Sequence, residues 1–376
     1  MPLSRAAPGP APEEFPDLGP ETLAVEPVER AWTIPSAWYR EPRFEALDRA
    51  AVLGRNWQLV AHESRLAEPG SLVVAEVAGE PAIVVRGKDG VLRAFYNVCR
   101  HRGGPLALED GCANALKCKY HGWTYLLDGS LRGVPQWDRV ELFDKQDFGL
   151  VPLRVATWEG LVFVHLGEHP EPLEATVAGI AARIAPIRLG GFRFAGKVGY
   201  DVACNWKVYV DNYLEGYHVP HVHPELMKLY QFQSYSTEVH ERHSLQVSPL
   251  SAEDNIYTGG EGGTAYYYFL FPNAMLNVLP GRLQTNLVLP RGPDRCRVEF
   301  AYYYADTESP RARRLIEEDH AYADHVQRED MGICERVQVG IGSRAYDRGR
   351  FSVRYEAAVH HFQALLKAAY RDWMAA

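Results

Sequence analysis

"CRHRGGPLALEDGCANALKCKYHGW", residues 99–123, holds two cysteines and two histidines as C-x-H and C-x2-H pairs, with sixteen residues between them. Four soft ligands at this spacing point to a metal. Zinc sites built from two pairs usually place both thiolates on one knuckle, as C-x2–4-C. Here each loop supplies one Cys and one His, in mirrored fashion. That pattern suits a [2Fe–2S] cluster in which Cys99 and Cys118 hold one iron and His101 and His121 the other. Imidazoles in place of two thiolates raise the reduction potential and offer outward ligands through which an electron can leave. Gly103, Gly104 and Gly122 permit close backbone approach, Trp123 and Tyr120 can exclude water, and Arg100 and Arg102 offset negative charge. Cys112 lies between the pairs with no His at a matching offset and reads as structural. A zinc clip is the competing reading.

Outward from these loops, the texture is that of short strands. "SLVVAEV", "PAIVVRG" and "VLRAFYNV" are divided by Ala-Gly-Glu and Lys-Asp-Gly turns, and "WTYLLDGSLRGV" and "LRVATWEGLVFVHLG" repeat the pattern. Upstream, "EPRFEALDRAAVLG" (41–54) carries Phe44, Leu47 and Ala51 at helical spacing and stops at Gly54. Downstream of a mixed stretch with Pro170, Pro172 and Pro186, "CNWKVYVDNYLEGYH" has an apolar helical stripe that Pro220 should end. "TAYYYFLFPNAMLNVLP", "GRLQTNLVLP" and "DRCRVEFAYYYAD" predict strands of a larger antiparallel sheet. Two helices follow, the last with Ala357, Phe362, Leu365 and Leu366 inward. The fold class is therefore α+β, a small all-β domain inserted in a larger one whose antiparallel sheet is flanked by helices. The expected boundaries are 40–167 for the cluster domain and 168–376 for the larger domain, with residues 26–54 packing on the latter. Residues 1–25, rich in Pro and Ala, are expected to be a mobile or surface-wrapping arm.

A second constellation lies in "DNYLEGYHVPHVHPE": Glu215, His218, His221 and His223. A non-heme Fe(II) site that activates O2 needs two imidazoles and a carboxylate on one face, with the other positions open. Glu215 and His218 are i,i+3 and would share a helix face. His218 and His223 would sit about 140° apart on a continuous helix, so the break at Pro220 is needed to bring His223 back. His221 would suit only an unbroken helix. A histidine-rich helix end is the plain alternative, and without this second site the chain would be an electron carrier.

The chain has 376 residues, 47% hydrophobic and 23% charged, with a net charge of −8. That balance argues against nucleic-acid and anionic-membrane partners. No apolar run could span a bilayer, the N-terminus has no secretory h-region, and six cysteines are too sparse for a disulfide framework, so cytoplasm is expected. "GGEGG" at 259–263 is not a phosphate-binding turn between a strand and a helix, and nothing resembles a nicotinamide or flavin site.

The C-x-H-x16-C-x2-H segment followed by "NWKVYVDNYLEGYHVPHVH" resembles the catalytic α subunits of Rieske non-heme iron oxygenases, from about residue 40 onward. The resemblance implies His218 and His223 as iron ligands, with a late aspartate as the third. In "REDMGICERVQVG" that position is Asp330, with Glu329, Asp319 and Asp324 as neighbouring acids. It implies that Glu215 is no ligand but bridges an iron-binding histidine to a cluster histidine of the next subunit, in a head-to-tail homotrimer. It implies O2 as co-substrate, with electrons from a separate NADH-dependent reductase, directly or through a ferredoxin. The wording around "VDNYLEGYHVPHVHP" is similar to choline-monooxygenase-like members, which points to a small quaternary ammonium substrate. An arene-hydroxylating mono- or dioxygenase is the alternative.

Overall fold

The computed structural model describes residues 9–229, 234–251, 256–257 and 262–375, so the Gly-rich 259–263 stretch lies largely outside the described residues. These form two compact units, Leu53–Leu173 and a second made of residues 9–52 with 174–375. Among the described residues no helix is long and apolar enough to cross a membrane.

The smaller unit contains β1 Gln58–His62, β2 Ser71–Val77, β3 Glu80–Arg86, β4 Leu92–Tyr96, β5 Gly111–Cys112, β6 Leu116–Lys117, β7 Thr124–Tyr125, β8 Leu131–Gly133, β9 Pro152–Trp158 and β10 Leu161–His165. One antiparallel sheet runs β1-β10-β9-β4-β3-β2-β5, and β6-β7-β8 form another. Along β3, Ile83 and Val85 join a core containing Cys99, Cys118, Trp123 and Tyr125. Ala82 and Val84 join a second core with Val60, Val73 and Val164. Period-two alternation thus buries both faces of the sheet. Ala78 (φ 53°) and Gly79 (φ 85°) form the two-residue turn between β2 and β3, both left-handed as that hairpin class requires.

The larger unit holds β11 Arg193–Val202, β12 Ser236–Val239, β13 His243–Leu250, β14 Gly263–Leu270, β15 Ala274–Leu279, β16 Arg282–Gly292 and β17 Arg295–Tyr304. They form one antiparallel sheet in the order β11-β17-β16-β15-β14-β13-β12. The helices used below are α1 Pro42–Leu47, α2 Trp206–Tyr213, α3 Val219–Val222, α4 Pro310–Ile341 and α5 Ala357–Met374. Ser309 caps α4, its Oγ accepting from the Ala312 amide at 3.1 Å, and Pro310 fills the first position where no N–H is needed. On α5 the buried face is Ala358, Val359, Phe362, Gln363, Leu366 and Tyr370, whereas Ala357 and Leu365 are only half-buried.

The smaller unit begins at Leu53, inside the stretch where the two expected ranges overlapped, because α1 packs in the core of the larger unit: Phe44 stacks on Trp38 at 5.5 Å and lies 6.2 Å from Tyr370. From α1 the chain tightens into a π turn, Asp48–Val52. There the buried Asp48 carboxylate accepts from Trp206 Nε1 at 2.8 Å, from Lys207 Nζ and from Tyr370 OH. The N-terminal arm, where described, wraps the larger unit, the second of the two forms expected for it. Phe15, Leu18 and Leu23 are buried in its core, and Lys367 and Trp373 donate to the Ala24 and Pro10 carbonyls. Three apolar side chains offset the ordering cost of a Pro-rich segment that needs few backbone partners.

Candidate active site

In the smaller unit the two ligand loops are tight turns. Cys99 N donates to Gly104 O at 2.9 Å and Cys118 N to Trp123 O at 2.8 Å. Gly103 (φ 72°) and Gly122 (φ 74°) supply the left-handed residues. A Cβ on Gly104 would stand 2.9 Å from Cys118 Sγ and 2.9 Å from Tyr120 Cβ. Both cysteines are buried, and burial pushes the Cys99 thiol's pKa up, so its thiolate needs a cation to stabilise it. Tyr125 OH lies 3.2 Å from Cys99 Sγ and accepts from the Arg100 amide at 3.0 Å. The His101 and His121 rings are 4.8 Å apart, and His101 stacks on buried Trp123 at 4.9 Å. Tyr120 is largely exposed, with its ring against His121. Cys112 is exposed on β5, away from the ligand turns.

These residues fit an iron–sulfur cluster. His101 Nδ1 is buried with no hydrogen-bond partner among the described residues, an atom awaiting a ligand bond. Among the described residues only His218, His223 and Asp330 bring three ligand atoms within 4.8 Å of one another.

In the larger unit, α2 stops at Tyr213, before Glu215, and the continuous stripe expected up to Pro220 is corrected accordingly. Pro220 begins a helix: it sits in the first turn of α3, with His218 as the N-cap. Glu215 folds over this turn. Its Oε2 accepts from the His218 amide at 3.0 Å and from the Tyr217 amide, while Oε1 meets His218 Nδ1 at 2.6 Å. So the Glu215–His218 pairing arises from a cap, not from a shared helix face. His223 closes α3 at φ −122°, ψ 69°, turning inward, while His221 is exposed.

Asp330 comes from α4. Its Oδ1 lies 3.0 Å from His223 Nε2 and 3.6 Å from His218 Nε2, and it accepts from Asn212 Nδ2 at 2.7 Å. Glu329 takes the other side of His223, Oε2 to Nδ1 at 2.8 Å. Both imidazoles thus have Nδ1 on a carboxylate and Nε2 turned to Asp330, the arrangement that readies histidines for a metal. Burial pulls the His223 pKa down, but Asp330 and Glu329 outweigh it and leave it raised. Asp319 and Asp324 lie elsewhere: Asp319 pairs with Arg282 at 2.8 Å, and Asp324 with Arg328 at 2.8 Å. Two imidazoles and one carboxylate converging on a point match the donor set of non-heme Fe(II). The Glu329 contact and the clasp from Asn212 were not singled out from sequence, where Glu329 figured only as a rival ligand.

A cavity of ≈ 170 Å³ adjoins this group, walled by Tyr213, Tyr235, Tyr257, Tyr267, Tyr322 and Phe300 and reached by Glu215. Of the three tyrosines in "AYYYF" only Tyr267 lines it, as strand alternation requires, and from "EFAYYYAD" only Phe300 does.

The sequence matches the ring-hydroxylating α-subunit catalytic domain over residues 189–376 and the Rieske [2Fe-2S] domain over residues 56–144. It is 35% identical to the chloroplastic choline monooxygenase of Arabidopsis thaliana over 355 residues, covering 90% of this chain and 83% of that one. It is 32% identical to the carnitine monooxygenase oxygenase subunit of Escherichia coli K12, covering 94% and 97%. The fold is similar to that of the quaternary ammonium Rieske monooxygenase CntA in complex with L-carnitine, with TM-score 0.81, 31% identity and coverage of 92% and 99%. Naphthalene 1,2-dioxygenase from Rhodococcus shares the fold at 21% identity and TM-score 0.77, covering 95% of this chain and 99% of that one.

Proposed function

Because the chain belongs to the ring-hydroxylating α subunits, a Rieske [2Fe–2S] domain joined to a mononuclear-iron catalytic domain, we propose that it hydroxylates or N-demethylates a small quaternary ammonium compound. The observation that carries this reading is the tyrosine-walled cavity with the Glu215 carboxylate beside the His218, His223 and Asp330 group. Aromatic faces attract a trimethylammonium group that cannot accept or donate a hydrogen bond, and a nearby carboxylate adds charge complementarity. The names of the relatives, choline and carnitine monooxygenases, point the same way.

When bound, the mononuclear Fe(II) supplies O2 activation and C–H oxidation, using electrons relayed from the cluster. His218, His223 and Asp330 would hold it from one side and leave the cavity side open. Glu215 fixes the His218 ring through Nδ1, and we assign to it the link toward a cluster histidine of a neighbouring subunit. On this reading Cys99, Cys118, His101 and His121 hold the cluster, the assembly is a head-to-tail homotrimer, and a separate NADH-dependent reductase supplies electrons, directly or through a ferredoxin. The cytoplasm suits six cysteines, none of which forms a disulfide.

The test is turnover with a purified reductase, comparing choline, L-carnitine and γ-butyrobetaine with aromatic acids. NADH and O2 consumption coupled to oxidation of one ammonium compound is expected. Strict coupling to an aromatic acid, with the ammonium compounds inert, would assign the chain to the arene hydroxylases.

A further inference from the structure

Among the described residues, the cavity beside the iron-ligand group carries hydrogen-bond donors with no acceptor opposite them. Gln327, three residues before Asp330 on α4, is 1% exposed and lines the cavity. Tyr209 OH donates to Gln327 Oε1 at 2.5 Å, which leaves the amide N–H2 as the free end. That Nε2 is buried and has no partner among the described residues. On the sheet side, β16 presents Arg282, Gln284 and Asn286 to the same cavity at period two. Arg282 is tied by Nε to Asp319 at 2.8 Å and has only donors to offer. It donates by Nη2 to Gln284 Oε1, and Gln284 Nε2 donates to Asn286 Oδ1 at 2.7 Å. The guanidinium therefore sets the polarity of the whole row, and Asn286, 3% exposed, must present its N–H2. Tyr322 OH, also at the cavity wall and unpartnered among the described residues, adds a third donor.

We infer that Gln327 and Asn286 form a carboxylate-binding pair, so that the substrate is a compact zwitterion carrying a carboxylate besides its ammonium group. This rests on the quaternary ammonium reading above. A carboxylate brings two acceptor oxygens and can take both amide donors at once, whereas the hydroxyl of a choline-type tail offers a single oxygen and can satisfy only one of them. Arg282 is already neutralised by Asp319, so the anion would be held by neutral amides whose orientation the ion pair fixes. Three helical residues rise about 4.5 Å, which places Gln327 close to the Asp330 level and favours a short tail over a long acyl chain.

Equilibrium binding to the iron-loaded protein tests this. The probes are γ-butyrobetaine, choline and butyltrimethylammonium, which share an ammonium head and differ in the tail. Wild type is expected to bind γ-butyrobetaine at least about tenfold tighter than butyltrimethylammonium. Gln327→Leu and Asn286→Leu should each cut that ratio roughly tenfold, since a hydrogen bond to a charged group is lost in each. Gln327→Glu keeps an acceptor for Tyr209 OH and nearly the same shape, and it should invert the preference. A ratio unchanged in all three variants, or a wild type that prefers choline or the carboxylate-free compound, overturns the assignment. If no ammonium compound binds, the quaternary ammonium reading fails on its own. The same variants are then measured with benzoate: weakened binding supports the amide pair, and unaltered or absent binding overturns it.

Discussion

Glu329 and Asp330 are consecutive in the chain, yet they meet opposite edges of one imidazole. Asp330 is on the α4 face that carries Asp319, Ala323 and Gln327 toward the sheet, and Glu329, one step round the helix, reaches His223 Nδ1. Sequence spacing left four acids as rivals because 3.6-residue periodicity does not say which helix face meets α3. Their tertiary partners separate them, Arg282 for Asp319 and Arg328 for Asp324. Glu329→Gln, which weakens the clamp on His223, should lower Fe(II) affinity about tenfold in a chelator competition and leave the cluster's visible spectrum unchanged. Asp211, on α2, is a different case. Burial raises its pKa to about 7, against which bonds from Tyr39 and Gln363 work only partly. The folded form therefore prefers the protonated acid. Its contribution to stability is full below the unfolded carboxyl value of about 4 and is lost as pH rises through about 7. Asp211→Asn should remove most of that loss, on the order of 4 kcal/mol over the whole range, and shrink the fall in melting temperature between pH 5 and pH 8.

At the level of elements, strands and hairpins of the smaller unit were legible because each turn carries its own chemistry, as Ala78 and Gly79 show. The two Cys/His turns were legible as turns for the same reason: Gly103 and Gly122 occur at fixed offsets within them. Substituting Gly104 by Ala should block cluster incorporation, since the new methyl meets Cys118 Sγ at 2.9 Å, and the reddish absorption should be lost while the far-UV spectrum holds. The break between α2 and α3 was legible only in part. A proline that stops a helix and one that starts the next look alike in sequence, because both follow from the missing N–H. The deciding feature is the Glu215 carboxylate over the His218 amide, which caps the new helix. The π turn after α1 had no readable signal, since it depends on Asp48 finding Lys207, Trp206 and Tyr370 far along the chain. Asp48→Asn strands a fully buried ammonium and should cost about 3–5 kcal/mol in urea unfolding.

At the scale of the whole molecule, the α+β class followed from the order of strands and helices, whereas the expected domain ranges overlapped over residues 40–54, given both to the smaller domain and to packing on the larger one. Residues 40–52 adjoin the cluster region in sequence and belong by packing to the catalytic unit, because Phe44, Leu47 and Ala51 find their apolar partners there. The proposed ring of three has a direct functional consequence. Subunits lacking the cluster (His101→Ala) and subunits lacking the catalytic iron (His223→Ala) should each be inactive. Co-assembled, they should recover part of wild-type turnover, since one subunit's cluster then feeds its neighbour's iron. No recovery in verified mixed trimers would place electron transfer within a single chain. On the proposed reading, one chain builds two separate iron sites from two separate residue sets. Metal and sulfide analysis of wild type and His223→Ala tests it most directly. About three irons and two sulfides per chain are expected in wild type, falling to about two irons in the variant with the cluster spectrum intact. Zinc in place of iron, or the same iron count in both proteins, would contradict it.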